Sequence, residues 1–470
     1  MRSKENIAYL LFISVVAALG GFLYGYDTAV ISGTIRLVTD QFTLSAYGTG
    51  WYVGAALLGS IIGVIFAGGL SDHYGRKHTL IASSILFTAS AAGCAYAGSF
   101  ETLVIYRLIG GVGTGLVSVV SPLYISEVSI AKYRGRLVTL YQLAITVGFL
   151  GAYLVNYGLL SLADSITEQN SGMVYWMFNQ EIWRGMLGVE VVPALVFIGI
   201  LFFIPESPRW LLLKRNGDRA RRFLQKILRD VNAVEEEVAS ICQIISQEGN
   251  KVSLKECLTM NTMRLLLFGS MIAIMGQFMG VNAVLYYGPT IFQEAGLSGG
   301  DSLLYQVLIG LVNMLTTVVG LLIIDKVGRK RLVYFGVTGM FVTLIFIAFY
   351  FVKGETLGVS PVFMLVCFLT YIFFCAISIC LVIWVLLSEI YPIRIRGLAM
   401  SVSGMFLWIG TFLVGQLTPV FLDKLGTSGT FLMFATVCIP YILVVRYGIP
   451  ETTGRSLEEI EQEVNGIKNV

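Results

Sequence analysis

Charge is what this 470-residue chain has least of: 13% of its residues are Asp, Glu, Lys or Arg, against 56% hydrophobic. A soluble domain carries about a quarter charged residues, so the shortage excludes one and points to an integral membrane protein. Histidine is rarer still. His73 and His78 are the only two, both in one short polar stretch, and no nucleophile or metal-ligand constellation accompanies them; an enzyme is not expected, nor a metal or other cofactor. The seven cysteines lie in apolar segments (Cys94, Cys367, Cys375, Cys380, Cys438) or in one polar stretch (Cys242, Cys257) without metal-ligand spacing, and no structural disulfide is expected. A net charge of +3 says little about partners, and no nucleic-acid partner is expected. The first apolar segment is too long, and too lacking in a small-residue cleavage site, for a separate signal peptide.

What is present is hydrocarbon-compatible sequence in long runs. Charge-free or nearly charge-free stretches near the roughly 20 residues a membrane helix needs fall at about 7–33, 48–70, 78–99, 102–124, 137–160, 185–204, 265–292, 303–324, 332–352, 361–388, 398–422 and 428–449. The runs are continuous rather than alternating, which argues against membrane strands. The expectation is therefore an all-α integral membrane protein of twelve transmembrane helices. Placing the N-terminus in the cytoplasm leaves Arg36, Arg184, Lys353 and Lys424 outside and Arg107 within a span. Every other one of the 32 Lys and Arg residues then faces the cytoplasm, as the positive-inside rule requires. Both termini are expected there.

One long polar segment, 205–262, separates two sets of six spans. Arg219, Arg221, Arg222, Lys226 and Arg229 followed by Glu235–Glu237 suggest short amphipathic helices with solvated charged faces. A further short helix is expected at Ser456–Val464, with Glu459 three residues after the capping Ser456. The expected organisation is a first half over 1–204, a cytoplasmic helical linker over 205–262, a second half over 263–449 and a tail over 450–470.

The chain is written twice. SDHYGRK (71–77) returns as IDKVGRK (324–330), setting Asp72 and Arg76 against Asp325 and Arg329. SEVSIAKYRG (126–135) returns as SEIYPIRIRG (388–397), setting Glu127 and Arg134 against Glu389 and Arg396. IPESPRW (204–210), with Glu206 and Arg209, is echoed by IPETTGRS (449–456), with Glu451. Two parallel six-helix halves imply a binding site between them near the midplane. Topology accounts for the repeated bases but not for acids at constant spacing, so these residues are expected to form a cytoplasmic gate whose acids and bases pair across the halves when it is shut and switch with the transport state.

The GRK loops, PESPRW, the Glu-x6-Arg strings and PETTGRS together resemble the sugar porter family of the major facilitator superfamily, and GYDTAVISG (25–33) and WVLLSEIYP (384–392) look closest to its bacterial xylose–proton symporters. The resemblance covers nearly the whole chain. It implies a major facilitator fold and a monomeric, multi-pass cell-membrane transporter of monosaccharides, without cofactor, working as a rocker switch in the lipid bilayer.

Asn6 to Tyr26 contains no charged residue, yet Asp27 follows. An acid in hydrocarbon is costly enough to signal function. The repeat sets Asp27 against Asn282, so the architecture does not demand a charge at this point. Asp27, Arg107 and Glu190 each lie six residues from one end of their spans, roughly 9 Å at 1.5 Å per residue, which makes a buried cluster of two acids and one base. Arg107 close by holds Asp27 ionised; withdrawn, it lets Asp27 take up a proton and turns to Glu190. The resemblance implies the same, because proton-coupled members carry Asp at this position, Arg107 and Glu190 match their partner positions, and passive facilitators tend to carry a neutral residue in place of Asp27.

A sugar needs amides for its hydroxyls and aromatic faces for its C–H surface. YQLAITVG (141–148) offers Gln142; GQFMGVNAVLYYG (276–288) offers Gln277, Asn282, Tyr286 and Tyr287, with glycines and Pro289 where a helix can bend. Asn313, Trp384 and Trp408 add an amide and two rings. By the resemblance, Gln142, Gln277, Asn282, Asn313, Trp384 and Trp408 match sugar-contacting positions. The chain departs from the family at Gly276, where a second Gln is usual, at Leu407, where an amide is common, and at Cys380–Leu381, which replace a Gly-Pro pair. Fewer amides mean fewer hydrogen bonds to sugar. The leading expectation is import of a pentose or hexose such as xylose or glucose with a proton. The alternatives are a passive facilitator of the same fold and a transporter-like sugar receptor, although a receptor would be expected to carry a long cytoplasmic extension.

Overall fold

In the computed structural model, the described residues are 5–163, 165–166, 172–248, 260–354, 356–391 and 395–448. Among them every regular element is helical: α1 (Ile7–Gln41), α2 (Ala46–Tyr74), α3 (Arg76–Tyr96), α4 (Phe100–Val128), α5 (Ala131–Ala163), α6 (Gly172–Tyr175), α7 (Ile182–Gly188), α8 (Val191–Leu201), α9 (Pro208–Leu213), α10 (Gly217–Leu228), α11 (Val231–Glu248), α12 (Met260–Phe278), α13 (Val281–Glu294), α14 (Gly299–Val327), α15 (Arg329–Phe349), α16 (Pro361–Ile377), α17 (Ile379–Ile390) and α18 (Arg396–Gly448), with π-helical turns at Trp176–Gln180 and Tyr350–Gly354.

Eleven helical runs among these residues are long and apolar enough to cross a membrane. The last of them, α18, has 53 residues, about 80 Å at 1.5 Å per residue, far beyond a hydrocarbon core of about 30 Å. Gly426, at φ 67° and ψ 171°, breaks it into two. Twelve spans result, as the hydropathy runs predict.

Three spans are discontinuous. Span six is α7 and α8 joined at Val189–Glu190, span seven is α12 and α13 joined at Met279–Gly280, and span ten is α16 and α17 joined at Ser378. The glycines and Pro289 foretell the break in span seven. Gly280 takes φ 91°, a conformation that side-chain-bearing residues avoid, and the Met279 carbonyl at the joint accepts a hydrogen bond from the buried Tyr371 hydroxyl at 2.7 Å. Such repair by neighbouring side chains is what lets a helix break in a bilayer.

The chain divides into two compact units. One holds Met1–Val30, Leu58–Ala152 and Ser165–Lys251; the other holds Ile31–Leu57, Tyr153–Asp164 and Val252–Val470. Within the first, helices cross backbone to backbone. A Cβ on Gly25 would lie 2.0 Å from the Ile145 carbonyl oxygen of α5, and one on Gly59 would lie 2.2 Å from that of Leu108 on α4. Small residues four apart (Gly21/Gly25, Gly59/Gly63, Gly111/Gly115) permit this approach. In the second unit an edge-to-face cluster of Phe292, Phe368, Phe431 and Phe434 fills the core. Between spans six and seven, α10 buries Ala220, Phe223, Leu224 and Ile227 on one face, while Arg219, Arg222 and Lys226 are exposed. Arg221 donates to Glu235 of α11 at 2.7 Å, and that hydrogen bond holds the Glu235 carboxyl below its ordinary range. The expected tail helix at Ser456–Val464 lies outside the described residues.

Gly280→Ala is expected to destabilise the purified protein by about 1–3 kcal/mol, because the residue needs positive φ and its Cβ would meet the Phe434 ring at 2.4 Å. A melting curve identical to that of the parent would show that the joint at Gly280 tolerates an ordinary residue.

Candidate transport site

The three charges read from the sequence come together in the first unit. The Arg107 Nη1 donates to Asp27 Oδ1 at 2.7 Å, and both side chains are 3% exposed. Thr114, two turns after Arg107 on α4, donates to the other carboxylate oxygen, Asp27 Oδ2, at 3.3 Å. Glu190 sits at the α7–α8 joint, 3% exposed, within electrostatic reach of both Asp27 and Arg107. Its Oε1 accepts no hydrogen bond. Gly110 lets α4 pack against Ser90 of α3, since a Cβ there would meet Ser90 Oγ at 2.4 Å, with Asp27 Oδ1 at ordinary contact distance, 3.5 Å. One arginine thus shares a buried neighbourhood with two carboxyls and is hydrogen-bonded to the first.

Two of the polar positions read for sugar join in the second unit. Gln277, at the end of α12, accepts through Oε1 from Asn282 Nδ2 at 2.8 Å and from Thr411 Oγ1 at 3.1 Å. The break at Gly280 lets two amides five residues apart face each other. Gly410 admits Gln277, whose Cβ and Cγ lie 3.2 Å from the place a Cβ would occupy. These bonds use the Gln277 carbonyl and one of the two Asn282 N–H groups, so Gln277 Nε2 and the second Asn282 N–H remain to donate and Asn282 Oδ1 to accept, a set suited to neighbouring hydroxyls. Tyr286 and Tyr287 are buried, and the Tyr287 hydroxyl donates to the Gly415 carbonyl at 2.7 Å. Asn313 on α14 is buried, as is Trp408, which stands one turn before Thr411 on α18. Trp384 differs: it is 40% exposed, with one edge of its ring against Gly404. Gln142, half-buried on α5, belongs to the first unit.

The repeated polar strings build the same clamp twice. Arg76 grips Glu127 with two bonds of 2.9 Å, donates to the Ser71 carbonyl at 3.1 Å and pairs with Asp72 at 3.0 Å. Arg329 pairs with Glu389 at 3.0 Å and donates to the Ile324 carbonyl, five residues back like Ser71, at 3.5 Å. Glycines precede both arginines, Gly75 at φ 99° and Gly328 at φ 98°. In the first unit Glu206 also accepts from the backbone N–H of Arg76, Lys77 and Ser207 at 2.9, 3.1 and 2.9 Å, an anion seated on a helix N-terminus. Ser207 Oγ donates to Glu127 at 2.5 Å. Arg134 donates to the Ser126 carbonyl at 3.1 Å and Arg396 to that of Tyr391 at 3.2 Å, so both brace their own loops. Arg209 is half-buried on α9. The Asp325 side chain and Glu451 lie outside the described residues.

Thr114, Thr411 and Ser207 escape a reading by charge and amide content. Spacing offers a signal for two of them: Thr114 stands seven residues after Arg107 and Thr411 three after Trp408, each on the same helix face.

Twelve apolar spans, a doubled polar clamp and a buried ion pair define a polytopic transporter of the major facilitator type. The profile of the "Sugar (and other) transporter" family matches residues 13–464, and the chain belongs to that family. A glucose transporter of Staphylococcus epidermidis is 38% identical over 460 residues, 97% of each chain. The D-xylose-proton symporter of Escherichia coli is 34% identical, covering 98% of this chain and 97% of its own. Among solved structures, the inward open conformation of the xylose transporter from E. coli superposes with a TM-score of 0.82 at 31% identity, over 97% of this chain and 100% of that one. These relatives are transporters rather than enzymes, and the chain is a multi-pass membrane protein of sugar transport.

Replacing Arg76 by Gln is expected to cost about 3–5 kcal/mol, the loss that follows when one partner of a buried pair is removed, because Glu127 is itself only 3% exposed. Thermal unfolding in detergent measures it; a loss under 1 kcal/mol would mean that Ser207 alone suffices for Glu127.

Proposed function

We propose that this protein imports a pentose or hexose together with a proton by alternating access. The observation that carries the reading is the Asp27–Arg107 pair, sealed from solvent with a second carboxyl at Glu190 in reach. Ionised Asp27 holds Arg107. A proton on Asp27 cancels the attraction, and Arg107 then has Glu190 as its alternative acceptor. Since the three residues sit on α1, α4 and the α7–α8 joint, exchanging partners couples proton uptake to a shift among these helices. Sugar is recognised by Gln142, Gln277, Asn282 and Asn313 through hydrogen bonds and by Trp384, Trp408, Tyr286 and Tyr287 through their rings. The exposure of Trp384 favours this role, because a ring that stacks on a ligand must be open when the site is empty.

In this reading residues 1–204 and 263–449 are the two moving halves, 205–262 tethers them, and both termini face the cytoplasm of a cell whose membrane the monomer spans. The clamps of Arg76 and Arg329, with Asp72, Glu127, Arg134, Glu206, Arg209, Asp325, Glu389, Arg396 and Glu451, form the cytoplasmic gate. A second reading, facilitation without protons, draws support from Thr114. It completes the coordination of Asp27 and would equally suit a static pair.

Two measurements separate these. Asp27→Asn mimics the protonated acid and is expected to abolish uphill sugar accumulation in proteoliposomes while sparing counterflow; accumulation at the parental level would eliminate Asp27 as the obligatory proton carrier, and a parent that equilibrates sugar without accumulating it would leave facilitation as the function. Gln277→Ala or Asn282→Ala is expected to weaken sugar binding by about 1–3 kcal/mol, the cost of leaving buried polar groups unpaired. Calorimetry that finds parental affinity in both variants would remove the amide pair from the sugar site.

A further inference from the structure

Pro289 lies inside α13. It has no N–H to donate, so the Leu285 carbonyl four residues earlier has no helical partner. Two side chains meet that carbonyl instead. The Tyr153 hydroxyl donates to it at 2.9 Å and Gln306 Nε2 at 3.0 Å, with the Val284 carbonyl 3.4 Å from the same nitrogen. A carbonyl has two lone pairs and accepts both. Tyr153 is 1% exposed and Gln306 fully buried, and the two side chains also interact with each other. The position of Gln306 depends on Gly288, where a Cβ would lie 2.1 Å from Gln306 Oε1. All these residues belong to the second unit.

We infer that Gln306 and Tyr153 are positioning residues for the Asn282–Tyr287 segment, and that the Tyr153 bond is a latch made and broken in each transport cycle. The two donors differ in origin. Gln306 stands on α14, which follows α13 after the short connection 295–298, so it stays with the bend that Pro289 creates. Tyr153 stands on α5, 132 residues away in sequence. Its ring and hydroxyl accompany α5, and the bond survives only while that stretch of α5 rests on α13. Because the carbonyl keeps Gln306 when Tyr153 leaves, opening the latch leaves the Leu285 carbonyl with a donor. This arrangement lets the bond break repeatedly without loss of the bend. The inference rests on the alternating-access reading above.

The test uses the full-length protein. Tyr153→Phe keeps the ring and removes the hydroxyl. Hydrogen exchange of the 281–294 amides is expected to rise by about threefold to tenfold, the range one net hydrogen bond represents. The maximal rate of sugar counterflow in proteoliposomes should change while KM stays. Gln306→Leu is expected instead to raise KM. In a Pro289→Ala background, which restores a helical donor to Leu285, Tyr153→Phe should have little effect, since the two changes address one carbonyl. Parental exchange in Tyr153→Phe, or an equal effect with and without Pro289, overturns the inference. If the parent itself shows no sugar counterflow, the transport reading falls, and the exchange measurements still decide the bond. If parental counterflow is intact and Tyr153→Phe is silent, the latch falls alone.

Discussion

A polar group in hydrocarbon has no water to return to, so every donor, acceptor and charge within a span must be answered by another part of the protein. The placement of polar residues in this chain follows from that constraint. Arg107 is tolerable on α4 because Asp27 takes its charge, and Asp27 because Arg107 and Thr114 occupy both of its oxygens. The gap at Met279 is tolerable because Tyr371 reaches its carbonyl. Even the glycines serve the same end, since the close crossings they permit bring these partners within bonding distance.

The constraint also separates functional breaks from structural ones. Spans seven and ten leave helical dihedrals at Gly280 and Ser378, whereas span six keeps them at Val189 and Glu190 and is interrupted only in its hydrogen-bond ladder. Two of these joints carry groups of the proposed site: Glu190 lies within electrostatic reach of the ion pair, and Gly280 folds Asn282 back on Gln277. At the third, Ser378 donates to the Phe374 carbonyl at 2.5 Å and repairs its own break, two residues before the Cys380–Leu381 pair that departs from the family pattern. Discontinuous helices of this kind place backbone and side-chain polarity at mid-membrane where a substrate is held.

Much of this was legible in the sequence because the bilayer makes sequence explicit. A charge-free run of twenty residues has few structural meanings, and twelve of them in two sets read directly as spans. The doubled GRK and Glu-x6-Arg strings marked the residues of the clamps but not their pairing, since each arginine pairs within its own unit and donates to a carbonyl five residues back. What remained hidden was local. Nothing in the order of residues says that Arg134 and Arg396 turn back on their own loops, or that the Thr411 hydroxyl, which reaches its own Leu407 carbonyl at 2.9 Å as threonines in spans usually do, also comes within 3.1 Å of Gln277 Oε1. The interruption at Val189–Glu190 does carry a mark that hydropathy passes over: Pro193 has no N–H for the Val189 carbonyl four residues earlier.

Gly426 carries a mechanical consequence. One residue with positive φ is all that separates the stretches 396–425 and 427–448, whereas helix–helix connections in bundles commonly use 2–8 residues. A joint so short has no slack: it fixes where the two stretches meet and leaves only the angle between them free. The two final spans therefore behave as a bent lever rather than as independent rods. A tilt imposed on Trp408 and Thr411 in one arm is transmitted through the elbow to the other, and an insertion at this point would uncouple them.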